Sequence, residues 1–212
     1  MNNIYQVALI GGTGKAGKYL LKQLLSVGYK VKLLHRKPDK VTINHPLLKI
    51  VKGNARNYHN LSDLFTGCHA VLSCLGQPLG ESSIFSDATL NILKAMEANA
   101  ISRYICIAGL NVDTPFDRKG HAATFGTKWM YENYPVTTTD RQREYELLSA
   151  SDTDWTMVRL PLIIQTDETS VINVDLTDCP GNEISATSLA LFIIEQLKSR
   201  KFIKKAPFIA NQ

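Results

Sequence analysis

Three glycines at three-residue spacing, Gly11, Gly14 and Gly17, follow the apolar run Val7, Ala8, Leu9 and Ile10 and lead into Leu20, Leu21, Leu24 and Leu25 at helical spacing. That order is a strand, a tight turn and a helix N-terminus. Glycine lets backbone, ligand and strand approach one another closely. The turn also gathers N–H groups at the positive end of the helix dipole, an arrangement suited to a pyrophosphate. The same stretch comes near a triphosphate-binding P-loop, since Gly12, four intervening residues, Gly17 and Lys18 are all present. Tyr19 stands where a Ser or Thr hydroxyl would have to hold magnesium, so the chemistry points to a dinucleotide.

The helix ends near Gly28, and Val31, Leu33 and Leu34 supply the next strand, which completes a βαβ opening. At the end of that second strand, roughly 20 residues beyond the glycines, an acidic residue would accept from a free ribose 2′-hydroxyl and select NAD. This chain places His35, Arg36 and Lys37 there instead. Arg36 can pair bidentately with a 2′-phosphate, each charge-assisted hydrogen bond contributing about 1.5–3 kcal/mol, so NADP(H) is the expected cofactor. Arg36 and Lys37 could equally solvate a strand end, and Lys15 is either a phosphate contact or a surface lysine. Asn54, in Gly53-Asn54-Ala55 after the third strand, is placed to meet the adenine edge or to serve as a turn residue. Leu75, Gly76 and Gln77 follow the fourth strand, where Gly76 lets the backbone approach a ribose.

These residues need a frame, and the pattern behind the opening unit supplies it. Residues 48–51 read as a strand, 61–65 as a short helix, 70–75 as a strand, 84–98 as an amphipathic helix and 104–107 as the fifth strand. The segment 113–140 reads as irregular with one helix at 122–131, followed by a helix over 141–150 and a strand over 155–160 closed by Pro161. Residues 171–176 and 207–210 read as further strands, with a helix between them capped by Ser185 or Thr187 and running to Leu197. Strands alternating with helices imply a parallel sheet. The expected fold is α/β, a Rossmann-type doubly wound parallel sheet flanked by helices. No repeat or linker interrupts it, so residues 1–212 form one domain, with 160–212 contributing a small substrate-side lobe. Ligands in such sheets sit beyond the carboxyl ends of the strands, where strand order reverses.

Composition agrees with a single core: 44% of the 212 residues are hydrophobic. No apolar run approaches the roughly 18 residues of a membrane span, and Met1, Asn2 and Asn3 lack the regions of a secretory signal, so a cytoplasmic location is expected and no membrane partner. Cys68, Cys74, Cys106 and Cys179 form no C-x-x-C pair and read as reduced core residues. The net charge of +5 is scattered, apart from Lys198, Arg200, Lys201, Lys204 and Lys205 behind the last helix, where cations suit the C-terminal dipole. No aromatic interleaving accompanies them, so no nucleic-acid partner is expected.

The chain resembles the atypical short-chain dehydrogenase/reductase superfamily, and within it the NmrA-like branch that includes biliverdin-IXβ/flavin reductase and bacterial NADH-flavin reductases. The resemblance spans nearly the whole chain. It rests on G-G-T-G-K-A-G at 11–17, H-R-K-P at 35–38, K-G-N-A at 52–55, C-L-G-Q at 74–77, and the stretch from Thr139 to Pro161 that ends in M-V-R-L-P. It implies NADP held by Gly11, Thr13, Gly14, Lys15, Ala16 and Arg36, with Asn54, Ala55 and Gln77 lining the groove.

The departures from that superfamily concern chemistry. Its typical members use a Tyr with a Lys four residues later to move a proton, and none of the eight tyrosines here has such a partner. The Ser or Thr at the end of the fifth strand is also missing, since Cys106 and Ile107 run into Ala108, Gly109 and Leu110. Arg141 falls near the ribose-binding Lys of typical members and is either a cofactor contact or a surface ion pair. No catalytic side chain is therefore assigned. A flavin-like or quinone-like acceptor can take its proton from solvent, which makes an NADPH-dependent reductase of such acceptors the first expectation, with Phe116, His121, Trp129 and Tyr134 as candidates for the acceptor pocket. A non-catalytic NADP(H) sensor of the NmrA type is the alternative. A sugar-nucleotide epimerase is disfavoured by the missing Tyr/Lys pair and the lack of a larger substrate domain. A homodimer is compatible with either of the first two.

Overall fold

The computed structural model describes residues 5–78 and 80–212; Met1, Asn2 and Asn3, read above for targeting signals, lie outside them. The chain runs β1 (Gln6–Ile10), α1 (Gly17–Ser26), β2 (Lys30–His35), β3 (Leu48–Lys52), α2 (Tyr58–Phe65), β4 (Ala70–Ser73), α3 (Phe85–Ala98) and β5 (Arg103–Gly109). It continues with α4 (His121–Asn133), α5 (Pro135–Ser149), β6 (Asp154–Leu160), β7 (Leu162–Ile164), β8 (Ile172–Asp175), β9 (Glu183–Ser185), α6 (Ala186–Gln196) and β10 (Phe208–Asn211).

Eight strands form one sheet in the order β3-β2-β1-β4-β5-β6-β10-β8. All neighbours in it are parallel except β8, which runs antiparallel to β10. This is the expected doubly wound sheet, and the tail joins it as β8 and β10. Val7 pairs with Val31 on one side and Ala70 on the other. β1 therefore stands where strand order reverses, and the carboxyl ends of β1 and β4 flank the crevice. Helices α1 and α6 cover one face through Leu20, Leu21, Leu24, Leu189 and Ile193. The other face is covered by α2, α3 and α5 through Leu61, Phe65, Ile92 and Leu148. Both faces of the central strands are thus buried, which is why they read as unbroken apolar runs.

Local chemistry sets the helix ends. Val27 closes α1, Gly28 follows at φ +86°, and Tyr29 N–H and Gly28 N–H donate to the Leu24 and Leu25 carbonyls, a Schellman ending that glycine makes inexpensive. Asn57 caps α2 and Ser185 caps α6 through their side chains. Two expectations need correction. Residues 113–140 are not mainly irregular: α4 spans thirteen residues, and α5 begins at Pro135 rather than 141 because proline is pre-organised for the first helical position. The weakly helical run Val136, Thr137, Thr138 and Thr139 hid that first turn. The three-residue strands β7 and β9, paired in a small parallel sheet of their own, escaped notice because three residues carry no readable period. Among the described residues no helix is long and apolar enough to cross a membrane.

Candidate functional site

The glycine turn is locked against the end of β4. Gly11 sits at φ +74°, and a Cβ there would lie 2.5 Å from the Cys74 carbonyl oxygen. A Cβ on Gly17 would collide with the Gly11 carbonyl and lie 2.7 Å from the Gly12 Cα, so the first residue of α1 seats directly on the turn. Gly14 is different, because its nearest neighbours would be the Gly11 oxygen at 3.3 Å and the Cys74 oxygen at 3.9 Å. Its open side faces the crevice. Gly14 N–H donates to Gly11 and Lys18 N–H to Gly14, whereas among the described residues the N–H groups of Thr13, Lys15 and Ala16 donate to no backbone carbonyl. Among the described residues no side chain caps α1. A helix start with free donors behind a glycine cradle is a physical fit for a pyrophosphate.

A cavity of about 290 Å³ lies over this turn. Gly11, Thr13 and Gly14 form its floor, Arg36, Asn54 and Ala55 one side, and Leu75, Gly76 and Gln77 the other. Nine of the residues singled out from the sequence thus meet at one place. Ile84 also lines it and was not foreseen, and His35, placed at the end of the second strand without a role of its own, lines it as well. Four others stand outside the lining. Lys15 is exposed on the turn, Ala16 and Gly17 are buried beneath it, and Arg141 lies behind Leu75. Asn54 makes a turn as well as a wall: its side-chain oxygen accepts from Arg56 N–H at 3.0 Å, and its own N–H donates to Asn60 at 3.0 Å.

The cations of the site have different surroundings. Arg36 is half-exposed and ion-paired with Glu81, in the segment after β4. Arg141 is largely buried: it pairs with the buried Glu144 at 2.5 Å, donates to the Leu75 carbonyl at 2.6 Å and stacks on Phe85 with its guanidinium carbon 3.3 Å from the ring centre. Burial pushes the Glu144 carboxyl up, against the opposing pull of Arg141. Arg141 is therefore neither a surface ion pair nor a bare cation; it ties α5 to the backbone that forms the cavity wall. Asp140 does similar work one residue earlier. It accepts from the N–H groups of Phe85 at 2.8 Å and Ser86 at 3.3 Å and from the hydroxyls of Ser83 and Ser86, so α5 caps α3 from outside. Cys74 is buried and its thiol is pushed up to about 12 by desolvation, which makes it inert packing rather than a nucleophile.

The acceptor candidates are not gathered in that cavity. Phe116, His121, Trp129 and Tyr134 are all exposed, and Trp129 contacts Tyr134 edge to face at 5.7 Å. Sequence reasoning also missed Arg159, which is fully buried in β6. It pairs with Asp117 at 2.6 Å, donates to the Val112 and Ala206 carbonyls and lies over Phe208. A charged residue inside the apolar strand Trp155-Thr156-Met157-Val158-Arg159-Leu160 was the available signal, since such a residue must be paired. Arg159 thereby holds the loop after β5 to the sheet.

A family model described as NAD(P)H-binding matches residues 11–200. Among solved structures, a short-chain dehydrogenase/reductase (wide type) from Veillonella parvula in complex with NADP superposes with a TM-score of 0.80 at 16% identity, over 98% of this chain and 94% of that one. An oxidoreductase from Lactococcus lactis gives 0.79 at 18% identity, over 98% and 91%. A Rossmann-fold NAD(P)-binding family protein from Shigella flexneri gives 0.76 at 19% identity, over 99% and 94%. At these identities the likeness is one of fold. The family match, running from the first glycine of the cradle nearly to the end of the chain, carries more: the chain belongs to the NAD(P)H-binding family.

Proposed function

We propose that this protein binds NADPH across the crevice and serves as a reductase of flavin-like or quinone-like acceptors, with no side chain acting as acid or base. The observation that carries this reading is the pairing of a complete dinucleotide cradle, with Arg36 at its ribose end, to a crevice that offers no Tyr/Lys pair. When bound, the reduced nicotinamide supplies the hydride. The protein's own part is geometric. Free N–H groups at the start of α1 would hold the pyrophosphate, Arg36 the 2′-phosphate, and Asn54 and Ala55 the adenine side. Leu75 and Gly76 would keep the backbone close to the second ribose, with Arg141 fixing the Leu75 carbonyl. An acceptor that draws its proton from solvent needs nothing further from the protein. The missing pair counts against carbonyl and alcohol substrates, because these require a proton at the atom that is reduced.

The sensor alternative keeps one observation in its favour. Helix α4 buries only Ala123 and exposes Phe125 and Trp129, one turn apart, to solvent, and such a face suits a protein partner better than a small acceptor. Purified protein given NADPH with FMN, riboflavin or a soluble quinone discriminates the two. Oxidation of NADPH well above the spontaneous rate for at least one acceptor supports the reductase. Tight NADPH binding without acceleration for any of them refutes it and leaves the sensor.

A further inference from the structure

We infer that Glu81 is a built-in competitor for the 2′-phosphate of NADP(H), a carboxylate that must leave Arg36 before Arg36 can take the phosphate, and that it thereby sets how strongly the site prefers NADP(H) over NAD(H). This rests on the assignment of Arg36 to the 2′-phosphate. Arg36 lines the cavity, and among the described residues its ion-pair partner is Glu81, whose carboxylate meets Nη1. A carboxylate and a phosphate present the same chemistry to a guanidinium, namely a planar or tripodal set of anionic acceptors. Both cannot sit against one guanidinium edge without strong mutual repulsion.

The surroundings of Glu81 separate its side chain from its backbone. Gln77 Nε2 donates to the Glu81 carbonyl at 2.8 Å and to the Pro78 carbonyl at 3.1 Å. Arg56 donates to the Ser82 and Ser83 carbonyls at 2.6 and 3.1 Å, and the Ser83 hydroxyl donates to Asp140. The main chain is thus tied to the cavity wall, to the loop between β3 and α2 and to α5. Among the described residues the carboxylate has only Arg36 to hold it, and both partners keep substantial exposure, 55% for the Arg36 side chain and 38% for Glu81. Displacement requires a side-chain rotation into water and no movement of the backbone. An ion pair this exposed is weak, so the competition lowers NADP(H) affinity by a factor of about two to five rather than blocking it.

NAD(H) meets a different surface. With a ribose 2′-hydroxyl in place of the phosphate, Glu81 can stay on Arg36 and leave the pair neutral, and a carboxylate near that hydroxyl is the recognition element of NAD-selective sites. Glu81 therefore narrows the preference that Arg36 alone would impose.

Calorimetric titration of the full chain with 2′,5′-ADP and 5′-AMP, which isolate the adenosine end, tests the inference on wild type, Glu81→Gln, Arg36→Ala and the double variant, with thermal unfolding as a check on folding. Glu81→Gln is expected to tighten 2′,5′-ADP by about two- to fivefold, to leave 5′-AMP no tighter, and to lose its gain when Arg36 is absent. The gain should shrink at high salt. If Arg36→Ala weakens the two nucleotides equally, the 2′-phosphate assignment itself is wrong. If Arg36→Ala is selective for 2′,5′-ADP while Glu81→Gln leaves that ligand unchanged or weaker, Arg36 keeps its role and the competitor is refuted. A gain that persists without Arg36 also overturns it, because it would report general charge repulsion instead.

Discussion

The two glycines that end the cradle should respond to the same substitution in opposite ways. At Gly17 an added Cβ meets backbone, the Gly11 carbonyl and the Gly12 Cα, the latter at 2.7 Å, and neither can rotate away. Overpacking against backbone costs roughly 1–3 kcal/mol or more. For a chain of this length each kcal/mol lowers Tm by about 2–4 °C, so Gly17→Ala should lose roughly 2–12 °C. At Gly14 the nearest atom is 3.3 Å away and the backbone is not left-handed. Alanine there asks the Gly11 oxygen to give by only a few tenths of an ångström, a smaller misfit than at Gly17, so the loss of stability should stay within about 1 kcal/mol. The cost appears instead on binding. The new methyl projects toward the space over the turn, and NADPH affinity should fall at least about tenfold, equivalent to about 1.4 kcal/mol. Thermal unfolding without ligand and calorimetric titration with NADPH separate the two effects. A Gly14→Ala protein that binds NADPH as wild type does would refute the placement of the pyrophosphate over Gly14, and a Gly17→Ala protein that melts with wild type would refute the seating of α1 on the turn.

Two further outcomes follow from α5. Arg141→Lys keeps a cation but loses the fork that joins Glu144 to the Leu75 carbonyl; NADPH and NADH should weaken together by about two- to tenfold with their ratio unchanged, which titration with both cofactors checks against the selective loss expected for Arg36→Ala. Burial alone would raise the Asp140 carboxyl, but hydrogen bonds from Ser83, Ser86 and the N–H groups of Phe85 and Ser86 outweigh it and hold it below its ordinary value. Asp140→Ala should therefore cost about 1–2 kcal/mol near neutral pH. Because the folded value lies below the unfolded one of about 3.9, that stabilisation is fully present above pH 4 and disappears as pH falls through the folded value. Denaturant melts of both proteins should accordingly converge in strong acid, and a constant gap would contradict the capping role.

What the sequence disclosed and what it concealed divide along a physical line. The cradle was legible because its cause is local: glycine spacing, a strand before it and a helix behind it are one uninterrupted stretch of chain, and the Schellman ending at Gly28 is equally local. The meeting of Gly11, Arg36, Asn54 and Gly76 was legible for a related reason, since each follows a strand of a parallel sheet and the topology alone brings the carboxyl ends together. The partners of the charged residues were not legible. Arg36 with Glu81, Arg141 with Leu75, Asp140 with the start of α3 and Arg159 with Asp117 are pairings across 42 to 66 residues, fixed by how loops and helices settle after the sheet forms. A sequence shows that a buried arginine must have a partner without showing which acid it is. That distinction matters most at Arg36: its position after β2 argues for a 2′-phosphate, but its partner Glu81, the competitor we propose, lies 45 positions away where no motif marks it. On that proposal the lean toward NADP(H) is written in local sequence, at the residue after β2, and a contact between two loops adjusts how far it goes.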